Sequence, residues 1–350
     1  MEENLELQIQ KLEDVIQKNE KDLESILALA RVWAENNNFV KSLELYNKAL
    51  SIEPENYEAL INSGSLYFYN KNYENSLKNF LLAYKVNPKD EILLTNLGNI
   101  YAEHRNFENS KKYYEDALLI SPENPEIYWA LGVLYQDFQK SEMAAIAYQK
   151  AVDIDPYNED YLTHLAHTNQ TLGDTDKAFE LYKKAYEINQ NNEKTNLSLA
   201  NIYALKENWF DAHKFYEKAL KINSNYYQAL VCEAICYNSE RKVESSIDIL
   251  KKAIDIDPMN PSAYTIYGNI LSSLGKFEEA INLYKKIVKY STNKSQLDLF
   301  IANCYVQMGD IIKAMEYYRE AVKEDRSNKQ ALLLYLEIAN EFILRKTKNE

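Results

Sequence analysis

Apolar residues in this 350-residue chain recur in two alternating helical patterns, and the pair of patterns repeats every 34 residues. From Leu23 the chain divides, without insertion or deletion, into nine rows beginning at Leu23, Tyr57, Glu91, Pro125, Glu159, Glu193, Tyr227, Pro261 and Ser295. Columns four, seven, eight and eleven of each row follow the 3.6-residue period of one helix. Columns twenty, twenty-one, twenty-four, twenty-seven and twenty-eight follow that of a second. Each row therefore predicts a helical hairpin. A lone hairpin cannot bury both faces of its helices, so the rows must stack, each against its neighbours.

Residue size is also periodic. Column eight is Ala or Gly in every row and column twenty is Ser or Ala in every row, which lets two antiparallel helices approach closely where they cross. Column twenty-four is aromatic from Tyr46 to Tyr318, with Leu250 the exception, and column twenty-seven is Ala except at Ile287. Small residues thus face large ones across a packed layer.

Composition sharpens this picture through the scarcity of turn residues. The chain holds seven Gly and seven Pro, and all of them fall in columns one, eight, fifteen and thirty-two. Collagen-like, disordered and many-stranded β folds need more of both, whereas 46% hydrophobic residues supply ample core, so an all-α protein is expected. Column fifteen carries Gly, or a polar residue such as Asn, Lys or Arg in its place, and closes the first helix. In six rows the Asn or Asp at column sixteen offers an N-cap for the second. Pro at column thirty-two stops the second helix, and Asn or Asp at column thirty-four, as at Asn56, Asp90 and Asn328, can cap the next.

Leu97, Gly98 and Tyr101, and again Leu131, Gly132 and Tyr135, carry the first-helix signature, and Ala144, Tyr148, Ala151 and Pro156 the second. With these spacings the chain resembles the tetratricopeptide repeat over residues 23–328, as repeats 23–56, 57–90, 91–124, 125–158, 159–192, 193–226, 227–260, 261–294 and 295–328. The resemblance implies an α-solenoid of stacked antiparallel hairpins, a right-handed superhelix whose first helices line a concave groove. Residues 1–22 are expected to hold an N-terminal capping helix over 5–18, and residues 329–350 a C-terminal capping helix and a short basic tail.

The resemblance also assigns columns two, five, nine, twelve and thirteen to the groove. Their lining mixes apolar residues with uncharged amides, which can both donate to and accept from a peptide backbone. The candidate peptide-binding residues are Asn99, Trp129, Gln136, His167, Asn201, Asn269 and Asn303. Of these, Asn99, Trp129, Gln136, His167 and Asn201 form an expected central contact zone. Row five departs from the pattern, because Asn169 stands at column eleven where most rows have Trp or Tyr. The plainer reading is a drifted repeat in which Asn169 finds a partner and Trp129 packs on its neighbours. Some family members hold acidic tails in a clamp of Lys and Arg. Here only Arg31 and Lys194 supply positive charge along the groove columns, so a neutral to basic segment is expected rather than an acidic one.

Metal and catalytic chemistry are not expected. His164 and His167 lie three apart and Cys232 and Cys236 four apart, spacings that can place ligands on one helix face, but the two pairs sit two rows apart. Cys236 and Cys304 share column ten, apolar or small in every row, so burial is the simpler account. There is no Gly-rich phosphate loop, nucleophile elbow or HExxH run, and no cofactor is implied.

A net charge of −13 argues against nucleic acid. No run of eighteen apolar residues and no export signal is visible, and three cysteines make no disulfide framework, so a cytoplasmic protein away from membranes is expected. Residues 330–344 repeat a first-helix pattern with no second helix behind it. Leu332, Leu336 and Ile343 should then form an open apolar stripe that supports weak self-association or a partner helix. The function these features imply is a non-catalytic scaffold or adaptor that holds an extended segment of a partner protein. The alternatives are a structural subunit joined through its ends and convex face, and a regulatory module of an enzyme carried on another chain.

Overall fold

The computed structural model describes residues 2–347, with side chains described over residues 5–340. Among these residues α1 (Glu2–Lys18) precedes nine hairpins. They are α2 (Leu23–Glu35) with α3 (Phe39–Ile52), α4 (Tyr57–Tyr69) with α5 (Tyr73–Val86), α6 (Glu91–Glu103) with α7 (Phe107–Ile120), α8 (Pro125–Asp137) with α9 (Ser141–Ile154), and α10 (Glu159–Thr171) with α11 (Thr175–Ile188). The series continues with α12 (Glu193–Leu205) and α13 (Trp209–Ile222), α14 (Tyr227–Ser239) and α15 (Val243–Ile256), α16 (Pro261–Ser273) and α17 (Phe277–Ile287), and α18 (Lys294–Gln307) and α19 (Ile311–Glu324). Helix α20 (Lys329–Thr347) closes it, and no strand occurs among the described residues.

The chain falls into two compact units, Met1–Ile188 and Asn189–Glu350, a division that the uniform repeat does not announce. Inside both units the small columns work as the sequence predicts. A Cβ placed on Gly64 or Gly98 would lie 2.5 Å from the ring of Phe80 or Tyr114, and Gly132 and Gly268 are pressed equally hard by Tyr148 and Tyr284. The close approach also creates a hydrogen bond that size alone does not suggest. Ser42, Ser76, Ser110 and Ser246 at column twenty donate to the column-eight carbonyls of Ala30, Gly64, Gly98 and Ala234 at 2.7–2.8 Å.

The turn inside each hairpin has a single geometry. The column-fifteen residue adopts positive φ in all nine rows: at Gly173, Gly275 and Gly309, at Asn37, Lys71, Arg105 and Arg241, and also at Gln139 and Glu207. In the first hairpin Asn37 N–H donates to Ala34 O and Asn38 N–H to Trp33 O, the paired bonds of a Schellman turn, and the other rows repeat them. Asn38 then turns N-cap, its side chain accepting from Lys41 N at 3.2 Å. One residue thus ends one helix and begins the next.

In row nine the first helix begins one residue ahead of the row, α18 starting at Lys294. Lys294 offers no cap acceptor, and Asn293 accepts from Gln296 N instead. Before it, α17 gives way to a 3₁₀ turn over Val288–Tyr290.

Candidate functional site

In the first unit a cavity of about 490 Å³ is lined by Phe68, Asn99, Glu103, Trp129, Val133 and Asp137 among others. Asn99 at column nine is held from behind, because Tyr114 Oη on α7 donates to its Oδ1 at 2.6 Å. The same arrangement serves Gln136, whose Oε1 accepts from Tyr148 Oη at 2.9 Å. Burial pushes both phenols well above the ordinary tyrosine range, so they remain donors at neutral pH. Arg31, a positive charge expected along the groove, is engaged by Glu58 at 2.7 Å.

In the second unit a cavity of about 720 Å³ is lined by Asn269, Ser272, Phe300, Asn303, Gln307 and Leu334 among others. Tyr284 and Tyr318 donate to Asn269 and Asn303 at 2.7 and 2.5 Å, and Tyr216 donates to Asn201 at 2.8 Å. The amides therefore differ from the sequence expectation in one respect: each oxygen already accepts one hydrogen bond, from a column-twenty-four tyrosine.

The structure brings Asn99 and Trp129 to one cavity and Asn269 and Asn303 to another, while Gln136 and His167 line neither. Of the five residues of the expected central zone, Asn201 belongs to the second unit and the other four to the first. Trp129 is half-buried. Its ring meets His164 edge-on at 5.5 Å, and its indole N–H is enclosed without a hydrogen-bond partner. His167 is exposed. Asn169 is buried and donates back to Leu165 O at 2.8 Å, as the plainer reading of row five anticipates.

A second constellation lies where α13 packs on α14. His213 Nε2 is in hydrogen-bond contact with Glu240 Oε1 and lies 3.8 Å from Cys236 Sγ. On the other side of the ring, Nδ1 lies 3.5 Å from Glu233 Oε1. Tyr237 covers the imidazole at 4.1 Å between ring centroids, and Lys242 Nζ holds the second Glu240 oxygen at 2.6 Å. Burial raises Glu233 above the usual carboxylate range despite the opposing pull of His213. Burial opposes ionisation of Glu240 too, but Lys242 and His213 outweigh it and hold that carboxyl low. The Cys236 thiol is pushed up to about 11, first by burial and then by Glu240 and Glu233.

The sequence reading paired Cys236 with Cys232 and missed His213. A signal was present, because Glu233 stands at column seven, which holds Leu29, Leu97, Leu131, Leu165 and Leu199 in other rows. His213 likewise stands at column twenty-one, one of the columns that carry the second helix's apolar period.

At the C-terminal end Ala331 and Ile338 are buried, whereas Leu332, Leu333 and Leu336 are exposed. Leu332 and Leu336 thus form the expected open stripe, and Ile343 lies outside the residues whose side chains are described. Among the described residues no helix is long and apolar enough to cross a membrane.

Sequence models of the tetratricopeptide repeat match residues 57–90, 95–159, 171–233 and 271–338, well over half of the chain. No curated protein sequence matches significantly. Among solved structures, a tetratricopeptide repeat protein from Parabacteroides merdae is similar at 19% identity and TM-score 0.58, over 71% of this chain and 98% of that one. The APC/C hetero-tetramer Cut9–Hcn1 is similar at 13% identity and TM-score 0.55, over 90% of this chain and 76% of that one. PilF of Pseudomonas aeruginosa is similar at 14% identity and TM-score 0.54, over 62% and 97%. At such identities these likenesses speak to the fold, and together with the matched repeats and the nine hairpins they establish that the chain belongs to the tetratricopeptide repeat family.

Proposed function

We propose that this protein is a non-catalytic cytoplasmic scaffold that holds an extended segment of a partner protein against its first helices. The family is a protein–protein interaction module in general, which makes a bound polypeptide the natural occupant. The observation that carries the reading is the repeated tyrosine–amide pair. Tyr114, Tyr284 and Tyr318 each donate to an amide oxygen, which fixes Asn99, Asn269 and Asn303 where they line their cavities and leaves their N–H groups as donors for a bound chain. Donors at a fixed spacing suit the carbonyls of an extended backbone and are indifferent to its side chains. Glu103 and Asp137 beside Asn99 favour a neutral or basic segment over an acidic one. Three free cysteines, two of them buried, suit a reducing compartment.

Crosslinking mass spectrometry on the protein from its own cells, combined with retention of the partner by variants, tests this. Crosslinks should map to first-helix columns, and Trp129→Ala and Asn303→Ala should each weaken retention by about tenfold, roughly the loss of 1.4 kcal/mol. Full retention by both variants, or enrichment of acidic segments, would overturn the proposal. The exposed Leu332, Leu333 and Leu336 favour a second reading, a subunit joined end to end or to itself through α20. That reading requires crosslinks at α20 and none in the groove columns.

A further inference from the structure

The cluster between α13 and α14 differs from the groove amides in its chemistry. It places an imidazole nitrogen, a thiol and a carboxylate oxygen within 4.8 Å of one another, from α13, from α14 and from the C-cap of α14. We propose that His213 Nε2, Cys236 Sγ and Glu240 Oε1 form a binding site for a zinc-type divalent cation, with Glu233 as the positioning carboxylate.

The donor set is the first argument. Imidazole, thiolate and carboxylate are the ligands that a borderline-soft d¹⁰ ion takes, and three protein ligands leave one position for water or for a ligand from another molecule. Geometry is the second. Around a tetrahedral zinc, N and S donors sit about 3.5 Å apart and N and O donors about 3.3 Å apart. Here N and S are 3.8 Å apart, so the ion requires the Glu240 oxygen to slide back from the imidazole and the ring to turn slightly. The slide is guided by Lys242, which keeps the other oxygen at 2.6 Å.

The surroundings are the third argument. A metal-binding histidine commonly gives its remaining N–H to a carboxylate, which fixes the tautomer and aims the free nitrogen. Nδ1 of His213 is enclosed, makes no hydrogen bond, and faces Glu233 Oε1 at 3.5 Å. A small rotation of the ring toward Glu233 closes that bond and opens Nε2 toward the thiol. With the imidazole neutral, as binding an ion requires, two carboxylates whose side chains are each about 9% exposed face a single ammonium. A dication relieves that imbalance. On binding, the Cys236 S–H bond gives way to a metal–sulfur bond, its proton leaves to solvent, and no electron changes hands.

Cobalt(II) titrated into the tag-free full-length chain provides the probe, because a cobalt–thiolate bond has a charge-transfer band in the near ultraviolet. One cobalt per chain with that band is expected, and zinc should displace it. Cys236→Ser should abolish the band, while Cys232→Ser and Cys304→Ser keep it. Glu233→Gln should retain the band but weaken affinity by about 10- to 100-fold. Absence of the band in the wild-type chain, its survival in Cys236→Ser, or unchanged affinity in Glu233→Gln would each overturn the assignment.

Discussion

Where α6 meets α7, the polar groups that close the contact are neutral. Ser110 donates to Gly98 O at 2.8 Å and Tyr114 to Asn99 Oδ1 at 2.6 Å. Where α13 meets α14, the groups that close the contact are titratable: His213, Glu233, Cys236 and Glu240. The first contact lies inside a hairpin and its parts recur, the serine bond at Ser42, Ser76 and Ser246 and the tyrosine–asparagine bond at Tyr216, Tyr284 and Tyr318, so one geometry must serve several rows. Neutral hydrogen bonds satisfy that demand at any ordinary pH. The second contact lies between hairpins and occurs at a single place. Its charges hold only while they balance, which makes it sensitive to pH and to ions. Uniform contacts build the scaffold, and the irregular one is where a specific chemistry can be sought.

The sharpest test of the neutral contact is Tyr114. Tyr114→Ala removes a buried ring pressed on Gly98 and should cost about 3–5 kcal/mol in urea unfolding. Tyr114→Phe removes only the hydroxyl and should cost about 1 kcal/mol. Equal losses in the two variants would mean that the hydrogen bond, not the ring, carries the contact.

The charged side of the comparison can be tested at Asp298, a carboxylate of the second unit that occupies column four, an aliphatic or aromatic position in most rows. Burial first, then Glu324 and Glu320, push its acid dissociation up to about 6. The folded state therefore holds this proton more tightly than the unfolded chain, whose carboxyl titrates near ~3.9. Stability falls as pH rises from about 4 to 6 and stays lowered above that. Asp298→Asn should accordingly stabilise the protein by about 2 kcal/mol at pH 8 and leave it unchanged at pH 4, as read from denaturant unfolding at both values.

A smaller effect separates the turns. Gly173 and Gln139 share one turn geometry, with φ of 89° and 58°. Gly173→Ala should lose about 1 kcal/mol and Gln139→Gly should gain up to about 1 kcal/mol, since only Gly adopts positive φ without steric cost. Thermal unfolding of the two variants should shift in opposite directions.

The hairpins were legible because their code is local. Six N-caps at column sixteen, from Asn38 to Asp310, lie within a few residues of the N–H groups they accept from. The start of α18 at Lys294 was not legible from the 34-residue frame, because its cap, Asn293, stands one residue ahead of the column that caps most other rows. The candidate site was legible in part. Resemblance placed Asn99 and Asn303 on the groove columns, and both line cavities, but their tyrosine partners were read only as core. His213 was missed because a search for ligands on one helix cannot see a site assembled from two.

By itself the sequence determined the number of hairpins, the turn that joins each pair and the small-against-large register of every row, since all of these follow from spacing along one or two helices. Only the tertiary structure decided which polar groups meet. Tyr114 reaches Asn99 fifteen residues away, and His213 reaches Cys236 and Glu240 across 23 and 27. Those meetings depend on how far each helix is rotated about its axis when neighbours pack, a choice made by the sum of many side-chain contacts and written in no single stretch of chain.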